Sequence, residues 1–244
     1  MRVRLGHKSS YIRGDLKITG SKSESNRLLI LQALFPKIQI ENLSNSDDTK
    51  VTMDALNSSD SIINIHHAGT AMRFLTAYLS IQPDREIILT GSKRMQERPI
   101  RLLVNALKDL GAEISYDKKD GYPPLRIRGK KISKSKVTLP ANISSQYVSA
   151  LMLIATSLEK GLTIDLVGEM TSVPYIIMTK TILDQLGFDT SFKKNQMKIA
   201  SATCIEPKIW AVESDWSSAS YFYSILALCK GGHINLSRFK KESN

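Results

Sequence analysis

Gly20-Ser21-Lys22-Ser23-Glu24-Ser25-Asn26-Arg27, running directly into the apolar stretch Leu28-Leu29-Ile30-Leu31-Gln32-Ala33-Leu34-Phe35, decides how this chain is read. The glycine frees a turn and the hydroxyls can cap a helix. Such a helix start presents unpaired N–H groups and a positive dipole end, to which Lys22 and Arg27 add fixed charge. The pattern predicts a site for an anion; a capped surface helix with two solvated cations is the other reading. A nucleotide-binding P-loop is excluded, because no G-x-x-x-x-G-K-[ST] spacing occurs.

Outward from this stretch the same pattern recurs. An amphipathic helix opening on small or hydroxyl residues leads to a strand, then a second helix, then one or two more strands. The first pass is helix 24–35, strand 37–42, helix 48–57 and strand 61–65. The second is helix 69–81, strand 85–90, helix 99–110 and strands 112–117 and 124–128. The third is helix 145–158, strand 161–167, helix 174–186 and strands 188–192 and 196–200, with a further short strand within 1–13. The first helices are apolar around most of their circumference, at 28–35, 71–81 and 148–158, which predicts helices buried on all sides with sheets outside them. Unequal spacing between passes excludes a fixed-period solenoid and gives three copies of one α/β unit. A fourth copy starts at Glu213-Ser214-Asp215-Trp216-Ser217-Ser218-Ala219-Ser220-Tyr221 and reaches Gly231-Gly232-His233-Ile234-Asn235-Leu236. A unit that needs neighbours to bury its core is then left unfinished, so the 244 residues are expected to be part of a longer protein, and the stump at 213–244 is expected to expose apolar surface from Tyr221 to Leu228 unless it packs against a neighbouring chain.

The 42% apolar content supports a proper core, and the net charge of +11 suits an anionic ligand or nucleic acid. The basic runs at 130–136 and 193–194 lack the interleaved aromatics of a nucleic-acid surface and read equally well as solvated faces. Cys204 and Cys229 form neither a disulfide framework nor a zinc pattern, and the adjacent His66 and His67 point apart on a strand or turn, so no metal is expected. No stretch approaches the ~20 apolar residues of a membrane span. A cytoplasmic protein is expected.

Each buried helix opens with a polar cluster, and four such openings on one face would make a polyanion site. The second is Ala68-Gly69-Thr70-Ala71-Met72-Arg73, where Gly69 lets a ligand approach the backbone. The third is Ser144-Ser145-Gln146, two hydroxyls and an amide able to donate to phosphate oxygens. Arg98, just ahead of Pro99 at an expected helix start, is placed to fork onto a phosphate or carboxylate.

Taken in order, Gly20-Ser21-Lys22-Ser23…Asn26-Arg27, Ala68-Gly69-Thr70-Ala71-Met72-Arg73, Leu89-Thr90-Gly91…Arg94-Met95…Glu97-Arg98-Pro99-Ile100, Ser144-Ser145-Gln146 and Asp215…Ser217-Ser218-Ala219-Ser220-Tyr221 resemble the motifs of the 5-enolpyruvylshikimate-3-phosphate synthases. The resemblance runs from about residue 14 to the C-terminus. It implies an enzyme that moves the enolpyruvyl group of phosphoenolpyruvate onto the 5-hydroxyl of shikimate 3-phosphate through a tetrahedral intermediate, releasing phosphate, with no metal or organic cofactor. It implies an inside-out α/β fold of two domains, with 15–212 the complete one of three units and 1–14 and 213–244 pieces of the other, in a family that is usually monomeric. Small anionic substrates are the implied partners, rather than nucleic acid or membrane.

By the same resemblance Lys22 touches both substrates, as does Gln146. Ser23, Arg27, Ser144, Ser145 and Ser172 hold shikimate 3-phosphate, Gly69 and Arg98 face phosphoenolpyruvate, and Tyr175 lies beside the shikimate ring. The departures are His67 for a frequent asparagine, Phe74 for a common proline, Thr19 for the usual proline and Trp216 for a small residue. The family's acid and base groups are expected beyond residue 244, so no catalytic residue is assigned within the chain, which is expected to bind but not to turn over. The sister UDP-N-acetylglucosamine enolpyruvyl transferases, whose lysine-asparagine motif Lys22-Ser23 does not match, and a standalone anion or nucleic-acid module are the alternatives.

Overall fold

The computed structural model describes residues 10–170, 172–241 and 243. In chain order the elements are β1 (Tyr11–Leu16), α1 (Lys22–Leu34), β2 (Ile38–Glu41), α2 (Asp47–Asn57), β3 (Ile62–Asn64), α3 (Gly69–Ser80), β4 (Glu86–Thr90), α4 (Lys93–Gln96), α5 (Arg101–Leu110), β5 (Glu113–Tyr116) and β6 (Leu125–Arg128). They continue with β7 (Lys136–Pro140), α6 (Ser145–Ala155), β8 (Leu162–Val167), α7 (Val173–Leu186), β9 (Thr190–Lys193), β10 (Gln196–Ile199), β11 (Lys208–Ala211), α8 (Trp216–Ala227) and β12 (Gly231–Leu236).

The expected inversion of layers is present. All of α3 but Thr70 and all of α6 but Gln146 are buried, and α1 is buried from Glu24 to Leu31. These three helices pack on one another, and Leu28, Met72, Leu75, Leu151 and Met152 between them are wholly buried or within 1% of it. Burying one such side chain contributes roughly 1.5–3 kcal/mol, so a helix that buries most of its circumference must lie inside. Around them α2, α5 and α7 bury a single stripe each, for example Leu103, Val104, Leu107 and Leu110 on α5. Left-handed glycines end α5 at Gly111 and α7 at Gly187, satisfying the last carbonyls.

The sheets explain how the units interlock. One has the order β3-β4-β6-β5, a second β7-β8-β10-β9, and a third pairs β11 with β2. In the first two, the strand that precedes a buried helix runs parallel to the strand that follows it, β3 with β4 around α3 and β7 with β8 around α6; in the third, β2, which follows α1, runs parallel to β11 from much later in the chain. Because β11 comes from the far end of the chain, its pairing closes the three units into a ring. A fourth parallel pair joins β1, which precedes α1, to β12, which follows α8. The β1–α1 and β11–α8 connections run side by side, held by a bridge between Gly20 and Ser214 and by the Asp215 N–H on Thr19 O at 3.0 Å.

Three expectations are adjusted. The strand expected within 1–13 is β1, whose described part starts at Tyr11; residues 1–9 lie outside the described residues. The helix expected over 99–110 starts at Arg101, because Ile100 is buried with φ −138° and its N–H bonds to Gly121 O. Pro99 and Arg98 therefore occupy the connection between α4 and α5. Strands β7 and β11 and the short α4 were not foreseen. On α8 only Ala219 is buried, and Tyr221, Tyr223, Ile225 and Leu228 are exposed as expected. No helix of the described residues is long and apolar enough to cross a membrane.

Candidate anion-binding site at four helix openings

The first turns of α1, α3, α6 and α8 meet around one cleft of about 620 Å³. Lys22, Ser23 and Arg27 come from α1, Thr70 from α3, Ser144, Ser145 and Gln146 from the cap and first turn of α6, and Asp215, Ser217 and Ser218 from α8. The expected convergence of polar openings is thus realised, and four positive dipole ends face the same space. Ser21 caps α1 on the Glu24 N–H at 3.5 Å, and Ser144 caps α6 on the Gln146 N–H at 3.4 Å. Ala68 provides no side-chain cap for α3, so the N–H groups there stay available.

Lys22, Arg27 and Arg98 put three cations on the wall against one carboxylate, Asp215. That carboxylate is engaged as the cap of α8, with the N–H and Oγ–H of Ser218 both donating to it at 2.8 Å. Lys22 is exposed on the wall.

Arg27 is only 2% exposed, and among the described residues no carboxylate pairs with it. Its Nε donates to Thr179 Oγ1 at 2.7 Å and its Nη1 to Ser23 O at 2.8 Å. Its Nη2 donates to Ser149 Oγ at 3.2 Å and to Tyr175 O at 3.3 Å. All these acceptors are neutral, so desolvation dominates and burial pulls the Arg27 pKa down to about 10, against a smaller opposing influence of Tyr175. One Nη1 hydrogen is left without an acceptor among the described residues, at a residue that still reaches the cleft wall. A buried guanidinium fixed by neutral groups is a standing positive charge that an arriving anion would neutralise.

Arg98 stands across the cleft with its guanidinium seated on Gly69. A Cβ built on that glycine would lie 2.4 Å from Arg98 Nη1, so a side chain there would push the guanidinium from its seat. Gln146 links two openings through Nε2 to Thr70 Oγ1 at 3.2 Å.

Of the residues expected at the site, Lys22, Ser23, Arg27, Arg98, Ser144, Ser145, Gln146 and Tyr175 line the cleft. Gly69 lies just behind the wall as the seat of Arg98. Ser172 does not line it; this exposed residue caps α7 in a left-handed conformation, φ 55°, with its carbonyl accepting from the Tyr175 N–H at 3.2 Å. Ser44, Asn45 and Ser46, which lead into α2, line the cleft without having been singled out. Their signal was a run of hydroxyl and amide side chains before an acidic first turn, indistinguishable from ordinary capping. No cluster of histidine, cysteine, aspartate or glutamate among the described residues could hold a metal.

The family model for EPSP synthase (3-phosphoshikimate 1-carboxyvinyltransferase) matches residues 7–59 and 56–244. A 3-phosphoshikimate 1-carboxyvinyltransferase of Bacteroides fragilis is 45% identical over 235 residues, covering 96% of this chain and 57% of the relative. One of Haemophilus influenzae is 39% identical over 251 residues, covering 90% and 58%. The solved EPSP synthase of Acinetobacter baumannii superposes with a TM-score of 0.76 at 21% identity, over 95% of this chain and 57% of its own. The chain therefore spans a little over half the length of the relatives it matches.

Proposed function

This chain belongs to the EPSP synthase family, and from that premise we propose that its cleft holds shikimate 3-phosphate and takes part in moving the enolpyruvyl group of phosphoenolpyruvate onto the sugar-like ring's 5-hydroxyl, with release of phosphate. The observation that carries this reading is the buried, carboxylate-free guanidinium of Arg27 beside Lys22 at a convergence of four helix openings. Such a wall favours ligands with several negative charges. Hydroxyls of Ser23, Ser144 and Ser145 supply short donors to phosphate oxygens, and the exposed face of Tyr175 offers an apolar surface for a ring. Gln146, tied to Thr70, sits between the Lys22 and Arg98 sides and is suited to touch both substrates. Arg98, with the α3 opening at Gly69, is the proposed receptor for the phosphate or carboxylate of phosphoenolpyruvate. Ser172, which lies beyond the cleft wall, reaches shikimate 3-phosphate in this proposal only through movement of the α7 start.

Residues 15–212 form the proposed complete domain, with 1–14 and 213–244 belonging to a second body; the ring closure of β11 on β2 supports this division. Addition across the enol double bond needs a proton donor at carbon and a base at the attacking hydroxyl. Each such group contributes about 10²–10⁴-fold to rate. Among the described residues Asp215 is the one carboxylate on the wall, and it is occupied as a cap, so the chain by itself is proposed to bind without appreciable turnover. A cytoplasmic, monomeric protein without a cofactor completes the proposal.

Thermal unfolding with added ligands tests it. Shikimate 3-phosphate should raise the melting temperature in a saturable way, and a UDP-sugar should not. A shift by the UDP-sugar alone, or a salt-sensitive shift by any polyanion, would replace this reading with the sister transferase or a general anion module. A phosphate-release assay with both substrates at saturation should stay far below the 1–10³ per second of ordinary enzymes.

A further inference from the structure

Behind Arg98 lies a second arginine that the proposed chemistry does not use. Arg73, in the second turn of α3, is 4% exposed and meets no carboxylate among the described residues. Burial holds its pKa below the ordinary arginine value; Tyr147 opposes that fall, and the nearby Arg98 charge adds to it. A cation kept in such a place needs a reason, since a neutral side chain would avoid the desolvation cost.

Its contacts supply one. Nη1 donates to the Gly69 carbonyl at 3.0 Å and lies 3.7 Å from Met95 Sδ, while Nη2 donates to the Pro99 carbonyl at 3.4 Å. Tyr147, from α6, donates its hydroxyl to the same Pro99 oxygen at 2.7 Å. Gly69 is the residue on which the Arg98 guanidinium rests, and Pro99 is the residue that follows Arg98. One planar fork therefore grips the backbone on both sides of the Arg98–Gly69 contact. The Arg98 guanidinium itself has no protein acceptor among the described residues, so its place is set by its backbone rather than by its own hydrogen bonds.

We infer that Arg73 is a positioning residue: by clamping the Gly69 and Pro99 carbonyls, with Tyr147 on the second of them, it holds the Arg98 donors open toward an anion at the start of α3. The inference rests on the proposed anion role of Arg98. Lysine cannot replace this clamp, because an ammonium lacks the rigid fork that spans two acceptors.

The test uses Arg73→Lys, which keeps the charge, and the near-isosteric Tyr147→Phe, which keeps the fold within reach if the first variant does not fold. Ligand-free crystal structures come first: Arg98 should leave its seat on Gly69 in Arg73→Lys and shift or become disordered in Tyr147→Phe. Calorimetric titration of phosphoenolpyruvate at saturating shikimate 3-phosphate comes second. Affinity should fall about tenfold for Arg73→Lys and about threefold for Tyr147→Phe, with shikimate 3-phosphate affinity within about twofold of the parent. Arg98 unmoved in both crystal structures overturns the inference. So does an equal loss for the two ligands, which marks a general structural role. If the parent chain takes up no phosphoenolpyruvate, the proposed role of Arg98 fails, and the crystal comparison still decides the positioning.

Discussion

The guanidinium carbon of Arg27 lies 5.5 Å from the centroid of the Phe74 ring, joining α1 to α3 beneath the cleft floor. Both residues are within 2% of full burial. The ring's negative face is the electron-rich support that Arg27 has in place of a carboxylate partner.

Phe74→Leu should therefore weaken shikimate 3-phosphate binding while leaving the chain folded. A desolvated cation–π contact contributes about 1–2 kcal/mol, which corresponds to roughly 5–30-fold in affinity. Calorimetry on parent and variant measures the ratio. An unchanged affinity would mean that the four neutral acceptors alone hold Arg27 in place.

Lys22→Ala should cost far more than Lys131→Ala. Lys22 faces the cleft, whereas Lys131 is exposed in a shallow hollow with Leu34, Gln82 and Glu159. A charge-assisted contact in a partly dry site contributes roughly 1.5–3 kcal/mol, and a solvated lysine contributes little. Equal losses in shikimate 3-phosphate titrations of the two variants would remove Lys22 from the site.

Gly69→Ala should act on the phosphoenolpyruvate side alone. The added methyl falls 2.4 Å from Arg98 Nη1 and must displace that flexible side chain. The expected outcome is loss of about tenfold or more in phosphoenolpyruvate affinity, from one disturbed charge-assisted contact, with shikimate 3-phosphate binding retained. Titration of each ligand in turn reads the difference, and a fall confined to shikimate 3-phosphate would contradict the division of the cleft.

Glu24 gives stability a definite pH dependence. Burial raises its pKa above the ordinary 4.5, outweighing the Trp210 hydrogen bond, the charge of Lys240 and the Glu213 N–H, and the Glu213 charge adds to the rise. The Trp210 Nε1 donates to it at 2.6 Å and the Glu213 N–H at 3.2 Å. With its folded pKa raised, the native state binds this proton more tightly than the unfolded state does. The stabilisation is complete below pH 4.5 and is lost as pH rises through the folded pKa. In urea titrations from pH 4 to 8, Glu24→Gln should gain stability relative to the parent as pH increases. Parallel curves would show that burial is not the dominant influence on Glu24.

Much of the architecture was legible because periodicity is a local property. Helices apolar all round could be read as interior, and the observed α1, α3 and α6 follow that reading, while the single-stripe burial of α2, α5 and α7 comes from the structure. Strand β7 escaped because its first residue, Lys136, ends a basic run that reads as loop, leaving too short an alternation to stand out. Strand β11 escaped because Lys208–Ala211 owes its conformation to β2, to which it pairs across most of the sequence. Arg98 could be singled out as a candidate for an anion, but its helix start was misplaced, since burial of Ile100 and its bond to Gly121 moved the first turn beyond Pro99.

The sequence by itself determined the polar helix openings, the three repeated units and the cations available to an anion, because each depends on residues a few positions apart. Tertiary structure decided that the four openings face one cleft, that Ser172 lies off its wall, and that Arg27 is buried among Ser149, Tyr175 and Thr179 rather than paired with an acid. It also decided that Arg73 grips the carbonyls flanking the Arg98 seat. The reason is that hydrogen bonds and desolvation act between neighbours in space, and the closure of β11 onto β2 makes neighbours of residues that no local pattern connects.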